Sequence, residues 1–231
     1  MKFDHIFIDI DDTLFDFSKA ERASLENLFN KHGLPFDDEF LSKYRKHNLK
    51  LWQDIEKGVY TTADLSELRF DTLVDKERFS SHEDYLKFSD GYIEELACCP
   101  FVFDDAKPML DKLYGKCNMY IVTNGVTRVQ YNRLKASGFD RYFNKIFISE
   151  EIGLQKPLKK FFEYIFREEN ITDKSRCIIL GDSLTSDMQG GRNAGITTCR
   201  IVRNKKIKPN SLCDYQITGL DEFVSLVMQG E

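Results

Sequence analysis

The amino-acid sequence predicts an α/β fold: a parallel sheet covered by helices on both faces, with an α-helical bundle inserted into it. Three observations predict it. From about residue 100 onward, short β-rich apolar runs alternate with helical patterns. One further apolar run, HIFIDID, opens the chain at His5. Between them, residues 16–98 show helical periodicity and no convincing strand. Alternating strands and helices are the mark of a parallel sheet buried on both faces. The chain therefore reads as a Rossmann-like core, residues 1–15 and 99–231, with a helical cap domain over 16–98.

In order along the chain, HIFIDID is the first strand, and it runs into three aspartates, Asp9, Asp11 and Asp12. The cap follows at once. Ser18-Lys19-Ala20-Glu21 fits a capping box, and Gly33 fits the stop of that helix. A second helix is expected from Asp38 to Lys57, ended near Gly58, and two more over Thr62–Lys76 and His82–Leu96. Core strands are expected at NMYIVTN (118–124), KIFIS (145–149), RCIILGD (176–182) and TCRIV (198–202). Helices are expected over Asp105–Tyr114, Thr127–Ser137, Pro157–Glu169 and Thr185–Ala194. Pro157 suits a first turn, and Leu158, Phe161, Phe162, Ile165 and Phe166 form one apolar stripe that suits packing against a sheet.

Composition narrows the function classes. The net charge is −5, with acids and bases interleaved, which argues against a nucleic-acid polymer or a membrane surface as partner. The one basic stretch, Arg203 to Lys208, reads as a solvated loop. No apolar run approaches the roughly 20 residues that span a bilayer. The first twelve residues carry acids and no long apolar core, unlike a signal peptide. The six cysteines show no CxxC spacing, so reduced, mostly buried thiols and a cytoplasmic location are expected.

The chemistry lies at predicted strand ends, where open α/β sheets bind ligands. Asp9 and Asp11 are two apart, so in extended chain both point into one site, while Asp12 points elsewhere and suits a turn-capping role. Two carboxylates in one site call for a cation or a shared proton. GDSLTSD supplies Asp182 and Asp187 at another strand end, and such an all-oxygen set suits Mg²⁺. His5, His32, His47 and His82 are scattered, so zinc does not fit. Thr123, Asn124 and Gly125 end a strand with a hydroxyl, an amide and a flexible glycine, entering a helix at Thr127: an anion-binding turn. Lys156, just before Pro157, is a plausible phosphate counter-charge.

Taken together and in this order, DIDDT at Asp9 to Thr13, Thr123 after a strand, Lys156 before a proline, and GDSxxxD from Gly181 to Asp187, the sequence resembles the haloacid dehalogenase superfamily of phosphohydrolases. The helical insert stands where that superfamily carries its first type of cap. The forms TNG, GLQKP and GDSLTSD look like its pyrimidine 5′-nucleotidase branch. The resemblance implies Asp9 as nucleophile, giving an aspartyl-phosphate, and Asp11 as the acid and base. It implies Mg²⁺ between Asp9, the Asp11 main-chain carbonyl and Asp182, supported by Asp187. Thr123, the Asn124 N–H and Lys156 would hold the phosphoryl oxygens. Ser183 suits either the metal shell or a helix N-cap.

An acid at position 11 serves an alkoxide leaving group and is superfluous for halide, so a phosphatase is expected rather than a dehalogenase. A phosphomutase or a sugar-phosphate phosphatase would use the same residues. Beyond the phosphate, Phe15 and Phe17 adjoin the catalytic strand end and are candidate substrate contacts, with Trp52, Tyr60, Arg69 and Phe70 in the lid. A nucleoside 5′-monophosphate, pyrimidine before purine, is the expected small-molecule substrate, its base stacking on a ring. A phosphoacceptor receiver domain fits less well, being about half this length and lacking the helical insert. A non-catalytic scaffold would need none of the four acids.

Overall fold

The structure is a computed structural model, and it describes residues 1–203 and 206–229. Asn204 and Lys205 of the basic stretch lie outside the described residues. The chain forms two compact units, Met1–Phe17 with Phe101–Glu231, and Ser18–Pro100. Each crossing point lies slightly later than the pattern suggests. The outgoing and returning chains pair there: Asp16 N–H donates to the Phe101 carbonyl at 2.9 Å and Phe103 N–H to the Leu14 carbonyl at 3.0 Å.

In chain order the elements are β1 (His5–Ile8), α1 (Phe17–Lys31), α2 (Asp38–Glu56), α3 (Leu65–Leu68), α4 (His82–Ala97), α5 (Ala106–Leu113), β2 (Asn118–Thr123), α6 (Thr127–Ser137), β3 (Lys145–Ile148), α7 (Ser149–Ile152), α8 (Lys159–Glu168), β4 (Cys177–Gly181), α9 (Gln189–Ala194), β5 (Thr197–Ile201), β6 (Tyr215–Ile217) and α10 (Leu220–Met228). The six strands form one parallel sheet in the order β3-β2-β1-β4-β5-β6. Strand order runs outward in both directions from β1 and β4, so the topological switch point lies between them.

The pleat divides the core into two layers. Ile6 and Ile8 of β1, with Ile121, Ile178 and Leu180, pack against Met109 and Leu110 of α5 and Phe223 and Val227 of α10. Phe7 points the other way, with Val122 and Ile179, against Phe161, Phe162, Ile165 and Phe166 of α8. The apolar stripe of α8 thus packs on the sheet, with the Phe162 ring edge-on to Phe7 at 6.4 Å. Leu158 is not part of it: α8 begins at Lys159, and Leu158 is exposed ahead of it.

The second unit is a helical bundle around an aromatic core, with Phe70 5.1 Å from Phe88 and 5.5 Å from Tyr44. Two local expectations fail in it. Ser18 and Glu21 form no capping box. The helix already starts at Phe17, whose N–H donates to Asp12 Oδ1 at 3.2 Å, and Glu21 pairs with Arg45 at 2.6 Å. Nor is Thr62–Lys76 one helix. A short 3₁₀ turn leads into α3, which ends at Leu68, and Arg69 and Phe70 after it are both buried. The short β6 and helix α10 close the far edge of the core, beyond the strands the apolar runs mark. All six cysteines are free. No helix among the described residues is long and apolar enough to cross a membrane.

Candidate active site

Strand β1 stops at Ile8, and Asp9 follows with its N–H on the Leu180 carbonyl at 2.9 Å, at the mouth of the switch point. The chain then folds back tightly. The N–H groups of Thr13, Leu14 and Phe15 all reach the Ile10 carbonyl, at 3.3, 2.9 and 3.0 Å. Asp12 takes the left-handed conformation, φ 54°, and its carboxylate caps the start of α1. This is the turn role the sequence suggests.

Asp9, Asp182 and Asp187 converge: one oxygen from each lies within 4.8 Å of the others. β1 carries the first and β4 the second. Asp187 is delivered by a single wide turn, Leu184–Met188, that precedes α9, so the expected helix Thr185–Ala194 is in two parts. Ser183 caps that turn, its hydroxyl accepting from the Ser186 N–H at 3.2 Å, while its own N–H donates to Asp187 Oδ2 at 3.1 Å. Gly181 is required here, because any Cβ would run into the Asp187 side chain.

Lys156 reaches this cluster from the loop before α8 and is 1% exposed. Its ammonium donates to Asp9 Oδ1 at 2.7 Å, Asp187 Oδ1 at 2.6 Å and the Val122 carbonyl at 2.7 Å. All three of its protons are therefore engaged, and it binds the acids together. The loop is tied to β2 by Asn124, whose side chain exchanges two hydrogen bonds with the Lys156 main chain, at 2.8 and 2.9 Å. The Asn124 amide thus builds the site, a role that its place in TNG did not reveal. Thr123 is buried, its hydroxyl accepting from the Gly125 N–H at 3.1 Å and from Gln130 Nε2 at 3.1 Å.

Asp11 is placed differently from expectation. Because the strand ends before Asp9, the alternation that would align Asp9 with Asp11 no longer holds. The Asp11 carboxylate stands outside the cluster and turns to α6, where Gln130 Nε2 donates to Oδ2 at 2.8 Å and Arg133 Nη1 to Oδ1 at 2.6 Å. Gln130 and Arg133 had no motif to announce them. Phe15 is fully buried, 5.7 Å from Phe139 and beneath the Arg133 guanidinium at 4.8 Å, so its ring belongs to the core. Phe17 is half-buried at the head of α1. In the bundle, Phe70 and Arg69 are interior, Trp52 is half-buried and Tyr60 is exposed.

The electrostatics of the cluster favour a cation. Burial holds the Asp9 carboxyl well above the usual range; Lys156 opposes this, and Asp187, Asp11 and Asp182 add to it. Burial, then Asp187 and Asp12, push Asp182 up to about 7, against the pull of Lys156 and Arg200. Burial works to lower Lys156, but Asp187 and Asp9 outweigh it and keep the ammonium charged. One lysine does not balance these carboxylates. A hard divalent cation such as Mg²⁺ fits the donor set, which is all oxygen.

A family model for haloacid dehalogenase-like hydrolases matches residues 3–195. The chain belongs to the haloacid dehalogenase-like hydrolases. Members of known name extend the match over nearly its whole length. Pyrimidine 5′-nucleotidase YjjG of Escherichia coli (strain K12) is 31% identical over 98% of this chain and 99% of its own. Pyrimidine 5′-nucleotidase PynA of Streptococcus pneumoniae is 35% identical over 86% of this chain and 83% of its own. YfnB of Bacillus subtilis, whose crystal structure is described as magnesium-bound and as revealing interdomain movement, superposes with a TM-score of 0.87 at 32% identity. That match covers 99% of this chain and 100% of YfnB. In a haloacid dehalogenase-like hydrolase the acid cluster at the carboxyl ends of β1 and β4 is the place to look for the reaction.

Proposed function

We propose that this protein is a Mg²⁺-dependent phosphatase that hydrolyses small phosphate monoesters through an aspartyl-phosphate on Asp9, with nucleoside 5′-monophosphates, pyrimidine before purine, as its substrates. The observation that carries this reading is the Asp9 carboxylate itself, fixed by Lys156 at 2.7 Å within a converging set of acids at the switch point. The nucleotide preference is supported by the two relatives named pyrimidine 5′-nucleotidases, at 31% and 35% identity.

The residues divide the work as follows. An Asp9 oxygen attacks phosphorus in line as the bond from phosphorus to the leaving alkoxide breaks. The leaving oxygen takes a proton from Asp11. Asp11 then takes a proton from a water that attacks phosphorus, releasing inorganic phosphate and restoring Asp9. The Thr123 hydroxyl and the Asn124 N–H hold phosphoryl oxygens, and the Lys156 charge lies behind them. Asp9, the Asp11 main-chain carbonyl and Asp182, supported by Asp187, would hold the cation. Bound Mg²⁺ supplies relief of the repulsion between carboxylate and phosphate, and stabilises charge in the transition state.

The test is turnover of p-nitrophenyl phosphate and a panel of nucleotides and sugar phosphates, with Mg²⁺ and with EDTA. Activity lost in EDTA and in Asp9→Asn, with uridine or thymidine 5′-monophosphate leading the panel, is expected. Full activity in Asp9→Asn would remove the nucleophile assignment. A preference for sugar phosphates would remove the nucleotide assignment alone.

A further inference from the structure

We propose that Gln130 and Arg133 are positioning residues that clamp the Asp11 carboxylate: they keep it out of the acid cluster and aim it as a proton donor to the leaving group. This inference rests on the phosphatase reading above and adds to it two residues that act through Asp11.

The clamp is built from one helix. Gln130 and Arg133 are three apart on α6, so they share a face and stand side by side. Each takes one oxygen of Asp11, at 2.8 and 2.6 Å, which determines the plane of the carboxylate as well as its direction. Gln130 Nε2 also donates to Thr123 Oγ1 at 3.1 Å, and its Oε1 accepts from Arg133 Nη1 at 3.4 Å. The phosphate-binding threonine and the acid are thereby held in one network, through a single amide.

Arg133 is a costly residue to keep for packing alone. It is fully buried, and its Nε and Nη2 find no protein acceptor among the described residues. A desolvated guanidinium with unanswered donors is unfavourable. Its hold on Asp11, and its seat over the Phe15 ring at 4.8 Å, are what it contributes in return. Asp11 is about a third exposed at its side chain, so an edge stays open toward solvent while α6 grips it. Among the described residues, no other hydrogen bond holds this side chain away from the cluster.

The test compares kcat/KM for p-nitrophenyl phosphate, whose leaving group needs no proton, with that for the best alkyl phosphate of the panel. Asp11→Asn should lose far more on the alkyl ester. Arg133→Met should do likewise, by about 10- to 100-fold on the alkyl ester and under about threefold on the aryl ester; Gln130→Met, which also frees Thr123, should lose on both esters but several-fold more on the alkyl ester. Arg133→Lys should fall between Arg133→Met and wild type. Adding Arg133→Met to Asp11→Asn should cost less than about threefold more, because the clamp acts only through Asp11. Should Arg133→Met fail to fold, Gln130→Met and Arg133→Lys carry the same comparison. Equal losses on both esters, or losses that multiply in the double variant, overturn the clamp while leaving the phosphatase intact. An Asp11→Asn variant without the ester selectivity overturns the acid role of Asp11 and the clamp with it, and a wild-type protein that hydrolyses no phosphate ester overturns the phosphatase reading itself.

Discussion

Lys156 donates to Asp187 at 2.6 Å, with both side chains 1% exposed, and the same ammonium holds Asp9 at 2.7 Å. This lysine is therefore a structural keystone of the acid cluster, beside the part proposed for it in holding phosphate. Lys156→Met leaves two carboxylates buried without their counter-charge. Removing one member of a buried pair costs about 3–5 kcal/mol. Urea unfolding in EDTA should show a loss of that order. A loss under about 1 kcal/mol, the range of surface pairs, would mean that the pair is not closed in solution.

The acid cluster also predicts an unusual pH dependence without metal. Asp182 ionises near 7 in the folded protein, against 3.8 as its ordinary value. The folded state therefore binds this proton more tightly than the unfolded chain. Between about pH 4 and pH 7 the native state holds more protons, so this group's stabilisation is present below pH 4 and is lost as pH rises to 7. Each unit corresponds to about 1.4 kcal/mol, so the fall amounts to a few kcal/mol. Thermal unfolding in EDTA should show it, and Asp182→Asn should flatten it. Mg²⁺ should remove the decline, binding more tightly as pH rises because proton and metal compete. Parallel profiles for wild type and Asp182→Asn would refute the argument.

Asn124 makes a third prediction. Its side chain exchanges hydrogen bonds with both the N–H and the carbonyl of Lys156, across 32 residues of chain. Asn124→Ala leaves those groups without partners, for a loss of about 1–3 kcal/mol. It also frees the loop that aims Lys156, so kcat should fall about tenfold or more, since small misplacements near the reacting atoms are expensive. Calorimetric melting with steady-state kinetics would test both halves. A variant with wild-type kcat would confine Asn124 to stability.

How far the sequence could be read follows from the kind of signal each feature leaves. Strands β1, β2 and β4 are buried almost throughout and appear as apolar runs, and β3 and β5, though partly exposed, keep enough β-rich apolar residues to show. Asp9, Thr123 and Asp182 sit at or just past their ends, where chemistry is expected, while Asp187 and Lys156 are carried by the turn and loop beyond. Strand β6 is a three-residue edge, too short to leave a run. The direction of Asp11 depends on where β1 stops, and the apolar pattern through Ile10 hides that stop. Gln130 and Arg133 did leave a trace: they lie in the buried stripe of α6 between Val129 and Leu134. Two polar residues inside a buried stripe, on the helix that follows an anion-binding turn, need a partner. Without the fold, that partner, more than 100 residues away, could not be named.

Gly181 offers the sharpest test of how tightly the cluster is built. Its missing side chain is the space that the Asp187 carboxylate occupies: an added Cβ would lie 2.7 Å from Asp187 Cβ and nearer still to the carboxyl group. Asp187 has no free direction, being held by Lys156 on one oxygen and by the Ser183 N–H on the other. Gly181→Ala must therefore eject Asp187 from the cluster or move β4. Overpacking of this kind costs about 1–3 kcal/mol. Displacing a carboxylate that supports the metal should weaken Mg²⁺ binding by about 10- to 100-fold, measurable by calorimetric titration. A cycle with Asp187→Gly, which removes the Cβ as well as the carboxylate, separates the two outcomes. If the clash is with Asp187 alone, adding Gly181→Ala to Asp187→Gly should be nearly neutral for stability. If the full loss persists in the double variant, the strand itself rejects the methyl group, and the tight fit of Asp187 is not the reason for glycine at this position.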